Sequence, residues 1–343
     1  MLPSRLQVAV CTSDPPKAIY LQIDDAGNTE MPLLNRPLLQ STGVVSLVVA
    51  AAGAFWGLWW IPLRLLERSG LAGNWANLVL NVAATLIVLP FALGKLPLTK
   101  RGLGNLLVIG LLAGFTFALW NHSLIYGNVV RVTLLFFLSP IWATAFGIIL
   151  LRDPIGLLRV LSILLGLSGA AMVLDFHGLV PVPRNAAEYG GLVTGVSFAL
   201  LIVYIRRTND IGALEKTLVN SAFSVPFGLL FLAIVPAPAP TLPTIVGALP
   251  LILFCCIWLV PVQLLILWCA GRLDPGRITV LLLLEVLASA ISAALLTDEP
   301  FGWHEFVGCI LIVGAGLVEG LDQFRSRPNS GIARPASSPM GSE

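Results

Sequence analysis

The sequence predicts an all-α integral membrane protein, with ten transmembrane helices arranged as two inverted five-helix repeats and both termini in the cytoplasm. Three observations predict this. Of the 343 residues, 57% are hydrophobic and only 11% are charged, whereas a soluble domain is nearer half apolar and a quarter charged. Ten apolar segments have about the length needed to cross a bilayer. Two stretches of the chain also match each other when the sequence is displaced by 146 residues.

The composition argues against several classes of protein. A water-soluble globule of this size could not bury so much apolar surface, so a soluble enzyme and a disordered chain are both poor interpretations. The formal net charge is only +2, which provides no basic field for nucleic acid. The five cysteines lie in no metal-binding pattern and are predicted to pack as small apolar side chains. We therefore expect no metal, no cofactor and no nucleic-acid partner.

The two ends of the chain differ from the rest. Residues 1–42 are rich in charged residues and proline and contain no apolar core of a signal peptide. They are predicted to form a disordered cytoplasmic tail, although Met31 is an alternative start that the sequence leaves open. Residues 322–343 are polar, with several serines and prolines, and are likewise predicted to be a disordered cytoplasmic tail.

Between these tails, turn and charge signals separate the apolar segments, as at Lys100-Arg101-Gly102 and Asp274-Pro275-Gly276. The ten predicted spans are 43–66, 74–94, 104–126, 130–151, 155–174, 189–206, 216–236, 245–270, 277–297 and 303–321.

The basic residues predict the orientation of these spans. With the N-terminus in the cytoplasm, 16 of the 20 Lys and Arg residues fall on the cytoplasmic side, and four fall outside: Arg64, Arg68, Arg131 and Arg184. An excess of basic residues in cytoplasmic loops is typical of membrane proteins. Because losing one span would destroy this segregation, the distribution supports both the direction and the number of spans.

The internal match joins the fourth span to the ninth. Arg131-Val-Thr133 aligns with Arg277-Ile-Thr279, and Asp153-Pro154-Ile-Gly156 aligns with Glu299-Pro300-Phe-Gly302. Chance similarity between leucine-rich helices is the alternative, but the shared beginnings and ends favour a true repeat. The predicted repeats are 43–174 and 189–321, joined by an external connector at 175–188. Because each contains an odd number of spans, the second must be inverted relative to the first, a common arrangement in secondary transporters.

Several motifs resemble those of the EamA-type transporters in the drug/metabolite transporter superfamily. In the first half these are Ala54-Phe-Trp56-Gly57 and the stretch from Leu138-Ser-Pro140 to Leu150-Leu-Arg-Asp-Pro154. The second half has Leu284-Glu285 through Glu299, followed by Gly308-Cys-Ile-Leu-Ile-Val-Gly314. The sequence departs from the family pattern at Asp153, which is more usually Glu, and at Val286, where the family often has Pro.

The resemblance implies a secondary active transporter in the inner (plasma) membrane. It implies export of small organic metabolites, amino acids or related compounds, by alternating access and against proton entry. Partners would be a small-molecule substrate, the lipid bilayer and protons, with a homodimer left open. A passive facilitator or sensor is the first alternative. A membrane-embedded enzyme acting on a lipid-linked substrate is the last, because the three histidines are spread over separate segments and no soluble catalytic motif is present.

Glu285 is the most informative single residue. It lies within the ninth span, where an ionisable group costs about 2.5–3.5 kcal/mol on insertion scales and normally faces a cavity or a partner. The functional interpretation is a contact with a substrate ammonium group or a proton-coupling carboxylate. The alternative is a neutral carboxyl that bonds to a neighbouring helix for packing.

Two tryptophans on the first span are further candidates for the binding site. Trp56 and Trp60 are four residues apart and share one helix face, where they could stack on a substrate or hold a cation. The alternative is an aromatic belt at the membrane interface, which applies more to Trp60 than to Trp56.

Polar residues and a proline within apolar spans complete the candidate site. Lipid offers these groups no hydrogen bonds, so they must face a cavity or bond to other helices. Proline interrupts a helix and frees a carbonyl group. These candidates are Asn81, Asn121, Pro140, Gln263 and Ser289.

Overall fold

The computed structural model describes residues 41–97, 99–127, 129–153, 155–173, 183–208, 211–296 and 302–325. Within these ranges all regular elements are helical. They are α1 (Thr42–Gly57), α2 (Trp60–Arg68), α3 (Asn74–Ala92), α4 (Lys100–Tyr126), α5 (Val129–Phe136), α6 (Ser139–Phe146), α7 (Leu157–Val173), α8 (Ala186–Arg207), α9 (Ala213–Ile234), α10 (Leu242–Ala270), α11 (Pro275–Leu281), α12 (Leu284–Leu296) and α13 (Trp303–Arg325). A 3₁₀ turn, Leu93–Lys95, continues α3, and a π-helical turn, Gly147–Leu151, continues α6.

The helices coincide with the predicted apolar segments, with differences at the ends. α8 begins at Ala186, inside the predicted connector, and α13 continues to Arg325, past the predicted end of the last span. The predicted N-terminal tail lies almost entirely outside the described residues, and so do the question of Met31 and the C-terminal tail beyond Arg325.

In the part of the chain that the structure describes, six helical segments are long and apolar enough to cross a membrane: Asn74–Lys95, Lys100–Tyr126, Arg131–Leu151, Ala186–Arg207, Ala213–Ile234 and Leu242–Ala270. Shorter apolar helices occupy Thr42–Gly57, Leu157–Met172 and Phe306–Val318. Large apolar side chains point outward from the bundle, including Leu157 at 84% and Leu295 at 78% exposure. An apolar outer surface of this kind is what a lipid environment requires, and it confirms a multi-pass membrane protein.

Side-chain caps define where several helices begin. Ser41, Thr99 and Thr241 each accept a hydrogen bond from the backbone N–H group three residues ahead, at 3.3, 3.1 and 3.4 Å. Asn185 does the same for the N–H of Glu188 at 2.9 Å. These caps satisfy N–H groups that have no partner inside the helix.

Three of the helices are interrupted. α1 stops at Gly57 and α2 resumes at Trp60, α5 and α6 are separated by Phe137 and Leu138, and α11 and α12 are separated by Leu282 and Leu283. At each interruption the backbone bonds to the third preceding residue, as in Trp59 N to Trp56 O at 2.9 Å and Val286 N to Leu283 O at 3.0 Å. The interruptions in the fourth and ninth spans lie at nearly equivalent positions of the 146-residue match, as a structural repeat requires.

The fourth and ninth spans are interrupted for different local reasons. Pro140 has no backbone N–H, so the carbonyl of Phe136 loses its helical donor. The ninth span has Val286 instead of a proline near its interruption, yet it breaks at Leu282–Leu283. The bend in this span therefore depends on packing against α1 rather than on an imino acid.

The two halves pack against each other in a reciprocal manner. α1 of the first half lies on α11 and α12 of the second, and α8 of the second half lies on α5 and α6 of the first. A Cβ added to Gly53 would lie 3.2 Å from the Leu282 backbone, and one added to Gly195 would lie 2.8 Å from the Phe136 carbonyl oxygen. Leu282 and Phe136 are themselves paired by the 146-residue match, so a glycine of the opposite half lies close to each of these two interruptions.

The most extensive contact between the two halves joins α7 to α13. Gly169 makes it possible, because a Cβ there would lie 2.6 Å from the Gly308 carbonyl oxygen and 2.9 Å from the Ile312 nitrogen. Small residues that let helix backbones approach closely are typical of packing within membranes.

Replacing Gly169 with Ala is expected to destabilise the protein, because the added methyl group meets backbone atoms that cannot rotate away. Overpacking of this kind costs about 1–3 kcal/mol. The measurement is the thermal unfolding midpoint of purified protein in detergent. Gly316→Ala on α13 is the matched control, since its added Cβ would meet nothing within 4 Å and alanine favours helix by up to ~1 kcal/mol. Equal midpoints for the two variants would contradict the assigned role of Gly169.

Candidate substrate cavity

A partly enclosed cavity lies where the interrupted spans meet α4, α8 and α10. Its volume is about 30 Å³, room for about a water molecule, so a larger ligand requires the two halves to move apart. Its wall is formed by five aromatic and five other side chains: Trp56, Phe117, Trp120, Phe136 and Phe198, with Thr116, Thr194, Ile266, Leu282 and Glu285. Both halves of the chain contribute to the wall, so relative movement of the halves would change the shape of the cavity.

The wall reflects the reciprocal packing of the two halves. Phe136 and Leu282 occupy equivalent positions in the fourth and ninth spans and both line the cavity. Trp56 and Phe198 also line the cavity, and each lies on the first helix of its half, α1 and α8 respectively. The cavity therefore lies where the two repeats meet, which is the usual position of binding sites in inverted-repeat transporters.

Glu285 has no acidic equivalent in the first half of the chain. It lies in the first turn of α12, and the corresponding position in the first half is occupied by Ser139. Among the described residues, its carboxylate forms no hydrogen bond and no salt bridge, while its backbone N–H donates to Leu282 O at 2.9 Å. It is also the single charged side chain on the described wall. This geometry leaves a carboxylate directed at an enclosed space, with its acceptor oxygens available.

The aromatic side chains pack on one another around the carboxylate. Trp56 contacts Phe117 edge-on, with ring centroids 5.8 Å apart, and Phe136 lies 4.6 Å from Trp120 and 5.7 Å from Phe198. Trp56 also stacks on Trp59 at 6.0 Å. The predicted partner of Trp56, Trp60, begins α2, and its side chain lies outside what the structure describes. These aromatic side chains form a box on the cavity wall.

The two threonine hydroxyls on the wall are already committed as donors. Thr116 donates to the Leu112 carbonyl at 2.6 Å and contacts the Ser197 hydroxyl at 2.6 Å, while Thr194 donates to the Gly190 carbonyl at 2.8 Å. A hydroxyl has one hydrogen to donate. These side chains therefore present oxygen lone pairs rather than N–H or O–H groups to the cavity.

Asn81 and Asn121 do not line this cavity but meet at a separate polar cluster between α3 and α4. Asn77 Oδ1 accepts hydrogen bonds from Asn81 Nδ2 at 2.8 Å and from Asn121 Nδ2 at 2.7 Å. One turn away, the Asn74 amide lies 3.1 Å from Nδ1 of His122. Asn121 therefore bonds between helices, whereas Asn81 donates to Asn77 within α3.

The other three candidates take different positions. Ser289 donates to the Gly57 carbonyl at 2.7 Å, so it satisfies an oxygen freed where α1 ends. Pro140 is buried in the first turn of α6, beside the cavity residue Phe136. Gln263 on α10 is 2% exposed, and its Oε1 has no hydrogen-bond partner among the described residues. None of the three belongs to the cavity wall itself.

Several wall residues were not predicted as site residues from the sequence. Phe117, Phe136 and Phe198 lie in apolar runs, where a phenylalanine that faces a cavity looks like one that faces lipid. One signal was available. The 146-residue match pairs Phe136 with Leu282, so these two positions could have been considered together.

An ion pair joins the two halves at each end of the bundle. Arg131 at the start of α5 binds Glu188 at the start of α8 at 2.9 Å, and Arg159 on α7 binds Asp274 before α11 at 3.5 Å. The segment Arg131–Leu151 lies between the two arginines, and its 21 residues correspond to about 30 Å of helix. The two ion pairs are therefore at opposite ends.

Asp153 lies beside the second ion pair, in the turn after the fourth span. Together with Thr144, Arg159 and Gly276 it lines a small pocket. Burial raises the pKa of the Asp153 carboxyl, and the negative charge of Asp274 adds to this, while Arg206 and Arg159 oppose it. Two acids and two arginines thus share this end of the bundle. No group of three or more metal-ligating side chains converges within the described ranges.

Comparison with known proteins identifies the fold. One solved crystal structure matches it with a TM-score of 0.60 at 18% identity, over 84% of this chain and all of the other. In all, 29 chains of solved structures match. No curated protein sequence matches. A family model described as the EamA-like transporter family matches the chain twice, at residues 43–175 and 186–318.

The two matched segments cover most of the chain and correspond to the two halves that pack reciprocally around the cavity. They confirm the resemblance inferred from the motifs. The chain is a multi-pass membrane protein with a transporter fold, and it belongs to the EamA-like transporter family.

Proposed function

We propose that this protein is a secondary active transporter that exports small organic metabolites, amino acids or related compounds, across the inner (plasma) membrane. In this proposal all ten apolar segments cross the bilayer and both termini are cytoplasmic. The single observation that carries it is the partly enclosed cavity between the two halves, with the carboxylate of Glu285 unpaired among the described residues. A binding site between inverted repeats suits alternating access.

The ion pairs suggest how the two halves could move. Each pair joins one half to the other, Arg131–Glu188 at one end and Arg159–Asp274 at the other. In alternating access, one pair breaks while the other holds, so the cavity opens to one side at a time. We infer that the occluded arrangement, with both pairs formed, lies between an inward-open and an outward-open form.

The carboxylate supplies a means of coupling. In our proposal, Glu285 loses a proton on the cytoplasmic side as substrate binds, and it takes up a proton on the outer side as substrate leaves. One carboxylate in one cavity cannot hold a proton and a cationic group of the substrate equally well, and this competition would link export to proton entry.

The test is transport by purified protein in proteoliposomes with an imposed pH gradient. Accumulation of a metabolite above its equilibrium level, abolished when the gradient is dissipated, is the expected result. Equilibration that is indifferent to the gradient would instead indicate a passive facilitator. Binding without any flux would indicate a sensor. Either outcome overturns secondary active transport.

Breaking the two ion pairs is expected to shift access to the cavity in opposite directions. Arg159→Met should open the end that bears Thr144, while Arg131→Met should favour closure there. The measurement is labelling of Thr144→Cys, in a Cys11→Ser background, by a membrane-impermeant maleimide in inside-out vesicles. The native thiols of Cys255, Cys256, Cys269 and Cys309 are buried. Arg159→Lys, which keeps the charge, should label as the parent does, and equal shifts in both Met variants would contradict the gating role.

A further inference from the structure

The chemistry of the cavity wall narrows the substrate class. We propose that the cavity binds aromatic organic cations, primary amines that carry no carboxylate, in preference to zwitterionic amino acids. Such amines are the products of decarboxylation of aromatic amino acids. This inference rests on the proposed transport function and goes beyond it.

The first argument is the charge of the wall. Glu285 provides one negative charge, and no Lys, Arg or His is among the described residues that line the cavity. A zwitterion would place its ammonium group near Glu285 and its own carboxylate in the same enclosed space, where no cation compensates it. Burying an uncompensated charge is costly. A monocation compensates the negative charge of Glu285 and introduces no second charge into the cavity.

The second argument is the shortage of hydrogen-bond donors. A bound carboxylate needs hydrogen-bond donors, but the hydroxyls of Thr116 and Thr194 already donate to the carbonyls of Leu112 and Gly190. The other side-chain donors on the described wall are the neutral indole N–H groups of Trp56 and Trp120. An ammonium group, by contrast, donates to the oxygens that the wall does present.

The third argument is the aromatic box. Five aromatic rings surround the space beside Glu285, and several are in mutual contact at 4.6–5.8 Å. Aromatic faces attract cations and also pack against flat apolar bodies. One wall therefore recognises both the charged end and the ring of the same molecule.

Three indole compounds that differ in their charged groups provide the test: tryptamine, tryptophan and indole-3-propionate. Binding to the purified full chain in nanodiscs is measured by isothermal titration calorimetry. We expect tryptamine to bind at least about tenfold more tightly than tryptophan, and the propionate to bind most weakly. Glu285→Gln should lower tryptamine affinity by roughly a hundredfold, as expected when a buried charge loses its partner, and it should leave the propionate no weaker than before. Glu285→Asp should restore part of the tryptamine affinity.

Other outcomes separate this inference from the proposed function. Tryptophan binding as tightly as tryptamine, or tryptamine binding that is unchanged in Glu285→Gln, overturns the cation preference. Absence of tryptamine binding at millimolar concentration also overturns it, even when proteoliposomes accumulate another metabolite against its gradient. In that case the proposed transport function is retained and the proposed substrate class is rejected. Loss of gradient-driven accumulation with tryptamine binding intact overturns the transport function instead.

Discussion

Replacing Glu285 with Gln is expected to abolish gradient-driven accumulation in proteoliposomes. The substitution keeps the size of the side chain and one acceptor oxygen, but it replaces the other oxygen with an NH2 donor and removes the single charge on the described wall of the cavity. Without a group that can exchange a proton for a substrate cation, the two fluxes are no longer linked. Substrate should then equilibrate across the membrane and not accumulate, and uptake should no longer respond to a pH gradient.

Controls decide whether this loss concerns coupling or folding. Glu285→Gln should reach the same expression level and elute as a monodisperse peak, because neutral glutamine is less costly within the bilayer than a carboxylate. Glu285→Asp keeps the charge and should retain pH-driven uptake at a reduced rate. Uptake by the Gln variant that still follows the pH gradient would show that proton coupling depends on another residue.

Replacing Gly57 with Ala is expected to reduce transport at least tenfold, although the residue contacts no substrate. A Cβ at position 57 would overlap the carbonyl oxygen of Glu285 and lie 2.9 Å from the Ala288 side chain. The added methyl group must push the ninth span away from α1, and it would move Glu285 and the cavity wall with it. The Ser289 hydroxyl would also lose its 2.7 Å hydrogen bond to the Gly57 carbonyl. Displacements of about 1 Å at a reacting or binding group are known to cost large factors in rate.

Gly104→Ala on α4 is the matched control for Gly57→Ala. A Cβ at position 104 would meet nothing within 4 Å, and the residue is not part of the described cavity wall. We expect near-parental transport and unchanged or slightly higher thermal stability, because alanine is the better helix former. The measurement is the initial uptake rate normalised to reconstituted protein. Equal rates for the two variants would argue that α1 and the ninth span separate freely and that their contact is not part of the site.

Some features of the candidate site could be anticipated from the chain. An acid in an apolar span cannot be left in lipid, so Glu285 stood out before its surroundings were known. Trp56 stood out through the family motif around it, and both residues lie on the cavity wall. Asn81 and Asn121 were equally conspicuous, yet they lie in a polar cluster outside the wall, because a buried amide can be satisfied by its own or a neighbouring helix as well as by a ligand.

The interruption of the ninth span shows a second limit. Pro140 predicts the interruption between α5 and α6, because proline lacks a backbone N–H donor. Nothing comparable is present at Leu282 and Leu283, where the chain reads as an unbroken run of leucine. That break depends on the close approach of α1 at Gly53 and Gly57, two glycines that are far from it in sequence.

The amino-acid sequence alone determined the membrane class, the apolar segments, the repeat and the family, because these depend on how many apolar residues follow one another and on motifs read along the chain. Tertiary structure decided which side chains converge on the cavity and which bond between helices. The physical reason lies in the solvent. Lipid is as apolar as the side chains of the protein core, so a helix in a membrane shows little contrast between its outer and inner faces. Phe198 and Ile257 both lie in apolar runs, and the sequence does not distinguish their surroundings. The fold buries Phe198 at the cavity and leaves Ile257 73% exposed on the outside of the bundle.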